Sequence, residues 1–163
     1  MVKKLIGYLW VLMIIIFLPV LGQAQTISIV LQDVNGADYA TWTIAPPVAL
    51  NTATTMTSTD GINVVIDSRH KIDLSAAVTS IGPWTAGVTP GLNIYKLEMK
   101  AFAVPQSVPA LENDTTVILK NINQFDTKIK EKNRWVYVKL TTPTATTSGQ
   151  PQILTVTITA TVN

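Results

Sequence analysis

Apolar residues recur at every second position along much of this chain, most plainly in QILTVTITATVN (residues 152–163). There Leu154, Val156, Ile158, Ala160 and Val162 alternate with Thr155, Thr157, Thr159 and Thr161. A period of two sends successive side chains to opposite faces of an extended backbone, so the stretch predicts a half-buried strand. The same period marks TISIVLQ (26–32), INVVID (62–67), KIDLSAAVT (71–79), LNIYKLEMKAFAV (92–104), TTVILKNI (115–122) and RWVYVKLT (134–141). ATWTI (40–44) reads as a further strand, joined to the first through DVNGADY, whose Asn35-Gly36 pair accepts the positive φ angles of a tight reversal.

Between these runs the pattern lapses. Residues 46–61 are rich in proline and threonine and predict a long surface connection with room for one short edge strand, since proline cannot donate to a ladder. IGPWTAGVTPG (81–91) is broken by glycine and proline, and KNINQFDTKIKEKNRW (120–135) reads as a lysine-rich connection. The expectation is an all-β chain, a single antiparallel β-sandwich of immunoglobulin-like type with seven to nine strands, filling residues 25–163 as one domain.

The amino terminus has a different texture. Lys3 and Lys4 precede an apolar run from residue 5 to 21, and small residues follow at Gly22 and Ala24, the three-part layout of a cleaved secretory signal peptide spanning residues 1–24. Export is therefore expected, to the cell surface, the extracellular space or the periplasm. The membrane is met only through this segment before cleavage. The chain contains no cysteine, which removes disulfides, thiolate metal sites and a lipid-attachment cysteine. Residues 25–163 are long enough to bury a core without such staples.

Charge narrows the function classes further. Lys3 and Lys4 carry the whole formal excess of +2, and the remainder is neutral, so a nucleic-acid partner is not expected. The single histidine, His70, sits in DSRHKID without a GxSxG elbow anywhere in the chain, and the three glutamates, Glu98, Glu112 and Glu131, show no catalytic pairing. No catalytic or cofactor-binding residue is assigned, and no cofactor is implied. The chain reads as a protein that is not an enzyme.

Binding candidates are few. Asp33, Asn35 and Asp38 could offer oxygens to calcium, although the spacing departs from an EF-hand loop and an Asx turn accounts for the same residues. Lys128, Lys130, Lys132 and Arg134 form a local basic cluster suited to an acidic glycan or a partner surface. Trp84 lies in the glycine- and proline-rich segment, where it could stack on a sugar ring or plug the end of a sandwich.

The functional expectation is an exported structural or adhesive surface protein whose partners are other protein subunits or cell-surface glycans. Self-association into a homo-oligomer through strand edges is compatible with it, and a secreted carbohydrate-binding module is the alternative. With TISIVL near the expected mature start and QILTVTITATVN at the other end, the layout is loosely similar to pilins that complete one another by strand donation. It departs from them in lacking a cysteine pair and in placing Val162 where they carry a penultimate tyrosine, so no family is assigned.

Overall fold

The computed structural model describes residues 27–44, 48–147 and 152–163. The expected signal peptide lies outside the described residues. Ten strands follow in order: β1 (Ser28–Gln32), β2 (Ala53–Thr55), β3 (Ile62–Asp67), β4 (Ile72–Ile81), β5 (Thr85–Ala86), β6 (Ile94–Phe102), β7 (Thr116–Val117), β8 (Asn123–Ile129), β9 (Asn133–Thr141) and β10 (Ile153–Val162). They form a curled seven-stranded sheet, running β1-β3-β9-β6-β5, and a three-stranded sheet, β10-β4-β8. In the larger sheet β2 joins β3 along one edge of β9, and β7 lies beside β5 on the outer edge of β6.

The fold is all-β and broadly sandwich-like. One pairing departs from the antiparallel expectation, because β5 runs parallel to β6 at Thr85–Ile94 and Ala86–Tyr95.

Alternation produces the core directly. On β4 the residues Ile72, Leu74, Ala76 and Val78 are buried, on β3 Ile62, Val64 and Ile66, and on β9 Val136, Val138 and Leu140. Antiparallel register sets Leu97 opposite Leu140, Met99 opposite Val138 and Ala101 opposite Val136, so β6 and β9 present one continuous apolar face.

A crossing strap ties the two sheets along one side. Just after β7, Ile118 N–H donates to Leu97 O of β6 at 2.8 Å, and Leu119 O accepts from Val78 N–H of β4 at 3.0 Å. No hydrogen-bonded strand pair joins β1 to β10 among the described residues, so the opposite side is open. The inward side chains of both edges show it: Ile29 and Leu31 on β1, and Leu154, Val156, Ile158 and Ala160 on β10, pack against the core yet stay only half-buried.

Three local expectations change. Residues 40–44 form no strand; the chain doubles back along β1 for only two rungs, through Tyr39 N–H to Leu31 O at 2.9 Å and the Gln32–Asp38 bridge. The segment 115–122 holds just the two residues of β7, because the chain must leave one sheet to reach the other. The lysine-rich connection contains a strand, β8, hidden by irregular register against β4 and by Lys128 at φ 55°.

Candidate interaction surface

At the β1 turn, Asp33 Oδ1 accepts from Asn35 N–H at 2.8 Å and from Ala37 N–H at 2.9 Å, while Gly36 adopts φ 84°. This is an Asx turn satisfied by the chain's own amides. The bonds from Ala37 and Asn35 hold the Asp33 carboxyl below its ordinary pKa. One oxygen of the calcium candidate is thus committed to the backbone. Among the described residues no three His, Cys, Asp or Glu side chains converge in a way that could hold a metal ion.

The basic cluster divides. Lys128, Lys130 and Lys132 are exposed, but Arg134 shares its parity with Val136 and Val138 and turns inward. Its Nε donates to Asp126 Oδ2 of β8 at 2.8 Å and its Nη2 lies 3.0 Å from Glu131 Oε2. Arg134 therefore links the two sheets, with its guanidinium largely withdrawn from solvent, and three lysines are left to make the surface patch.

Trp84 is half-buried and packs on the core. Its indole N–H donates to Thr146 Oγ1 at 3.0 Å, and its carbonyl accepts from Ser80 Oγ. Its indole N–H and its carbonyl are thus both bonded to protein groups. A shallow cleft of about 320 Å³ elsewhere is lined by Met56, Thr57, Ser58, Ser107 and Val108 and by no charged side chain.

The clearest alternating run of the sequence, residues 152–163, contains β10. β10 pairs with β4 over its whole length, from Ile153–Ile81 to Val162–Ile72. Its far edge has no partner among the described residues. Asp73 on β4 fixes its end: the carboxylate accepts from Asn163 Nδ2 at 2.8 and 2.9 Å, Gln124 Nε2 at 2.7 Å and Lys128 N–H at 2.8 Å. One side chain thus ties β4 and β8 to the residue that follows β10.

Those bonds set a pH dependence. The Lys128 backbone bond, then Asn163 and Gln124, pull the Asp73 pKa below 3.8, and backbone bonds plus Arg134 do the same for Glu131 relative to 4.5. At Glu98, burial pushes the pKa up, but Lys96 at 2.9 Å, Thr115 and the charge of Lys139 outweigh it and the net shift is downward. A carboxyl whose folded pKa is depressed stabilises the fold above its unfolded pKa, and that contribution fades as pH falls through the lower folded value. Thermal melts are expected to hold a steady Tm from about pH 7 to 5 and to fall below about pH 4. A Tm that rises on acidification to that range would contradict these contacts.

No family model, no curated protein and no solved structure matches the chain.

Proposed function

We propose that the chain is exported by residues 1–24 and acts beyond the cytoplasm as a non-catalytic, immunoglobulin-like β-sandwich, a structural or adhesive subunit that joins a surface assembly through a strand edge. The edge of β10 carries this reading. Ile153–Val162 is a ten-residue strand whose outer backbone groups have no partner among the described residues, and none of its side chains is charged. Such an edge is a template for a further strand, and proteins that work as monomers usually blunt it.

The other edges are blunted. β1 is covered in part by Tyr39 and Asp38, β2 has three residues, β5 and β7 have two each, and β8 carries Asp126, Lys128 and a register break. Export is supported by the Lys3-Lys4 pair, the apolar run and the small residues at Gly22 and Ala24.

Fractionation of cells expressing the full chain, combined with intact-mass measurement, tests the reading. The expected product begins at Gln25, lies outside the cytoplasm and occurs in species larger than one chain. A full-length cytoplasmic monomer would overturn it.

A further inference from the structure

The strand-edge reading leaves the partner open; the backbone geometry of β10 goes further and selects one. Asn163 N–H donates to Lys71 O at 2.9 Å, directly opposite in the β10–β4 register, whereas Val78 N–H of β4 turns away from β10 to Leu119 O. Alternate residues of a strand send their N–H and C=O to opposite sides. Odd-numbered residues of β10 therefore bond to β4. Leu154, Val156, Ile158, Ala160 and Val162 aim their amides and carbonyls at the open edge.

We propose that this edge pairs with β10 of a second copy of this chain, antiparallel, about a two-fold axis through Ile158. The inference rests on the strand-edge reading and names its partner. Ile158 is the midpoint of the outward-bonding set, so this register pairs every member: Leu154 with Val162, Val156 with Ala160, and Ile158 with itself. No other antiparallel register of the strand with itself engages all of them.

Side chains fit the same axis. A two-fold axis sets identical surfaces against each other, which repels wherever a strand carries like charges at paired positions, and residues 153–162 carry none. On the exposed face, Thr155 comes opposite the partner's Thr161, and Thr157 opposite the partner's Thr159. These are the close, non-hydrogen-bonded positions at which threonine pairs are favourable. On the inner face, half-buried Leu154, Val156 and Ile158 gain apolar neighbours that the open side now denies them. The two three-stranded sheets become one sheet across the axis.

The test uses protein isolated from cells expressing the full chain. Size-exclusion chromatography with light scattering is expected to show a concentration-dependent dimer. Ala160→Pro removes an outward N–H and obstructs the edge while leaving the bonds to β4, and it is expected to weaken the dimer at least roughly tenfold. Because the chain has no cysteine, register is read independently on the exposed face. Mixing Thr155→Cys chains with Thr161→Cys chains is expected to give an interchain disulfide that neither forms alone, with circular dichroism unchanged.

A dimer weakened by proline but not cross-linked in the mixture would overturn the two-fold pairing and leave the strand-edge reading standing. Association indifferent to proline, in a variant with unchanged circular dichroism, would overturn both. A protein monomeric at every concentration would overturn the second copy as partner.

Discussion

Leu74→Ala is expected to cost about 4 kcal/mol, near the upper end of the range for removing a buried leucine side chain, and to lower Tm by roughly 10 °C or more. Leu74 is fully buried at the middle of the three-stranded sheet, and the price of the cavity depends on whether neighbours can collapse into it. Here they cannot do so readily. Its register partner on β10 is Ala160, which has no side chain to extend, and on β8 it meets Asp126, already held by Arg134 at 2.8 Å. Thr79→Ala on the exposed face of β4 is expected to change stability by less than about 0.5 kcal/mol. Chemical denaturation of the two variants checks both values, and similar costs would mean that β4 is not the centre of the core.

That contrast follows from a pattern visible in the sequence, and the places where the pattern misled share a physical cause. INVVID coincides with β3 residue for residue, because regular pairing with β1 on one edge and β9 on the other keeps its period of two, and the run is bounded by Gly61 and the bend at Arg69 and His70. β8 was not legible. A strand that breaks register against its neighbour and turns Lys128 to positive φ loses its period of two, and only Phe125 and Ile129 remain as large apolar markers. The parallel β5 was equally hidden, since two residues amid glycine and proline have no period at all.

Arg134 is more instructive. Counted with the lysines by sequence proximity, it belongs by parity with Val136, Val138 and Leu140, and that parity was available in RWVYVKLT. Its partner was not, because Asp126 lies on the strand that could not be read. A charge on an apolar face is a sign of a paired charge across the core, and here it links the sheets at the middle of β8. The open edge of β10 was only half legible. Alternation gave its two faces, but which backbone groups stand free depends on the register with β4 and on the way Val78 turns to Leu119.

Gly61 carries the other large expected effect. It follows Asp60, and an Asp-Gly pair is a place where glycine often serves for its backbone freedom, yet the positive-φ glycines among the described residues are Gly36 and Gly82. Space is what it supplies. A Cβ at residue 61 would stand 2.7 Å from Tyr137 Cε1 and 2.8 Å from both Cζ and Oη. The ring has little room to retreat: Tyr137 is fully buried, its hydroxyl accepts from Gln106 N–H at 2.9 Å, and it meets Phe102 edge to face at 5.8 Å.

Gly61→Ala is therefore expected to cost about 3 kcal/mol, the upper part of the usual range for overpacking. Tyr137→Leu removes the hydroxyl and the far ring atoms that the new methyl would strike. In that background the same Gly61→Ala change is expected to cost less than about 1 kcal/mol, a coupling that a double-mutant cycle measures directly. Equal costs in the two backgrounds would place the penalty in the backbone of the turn and remove Tyr137 as the reason a glycine stands there.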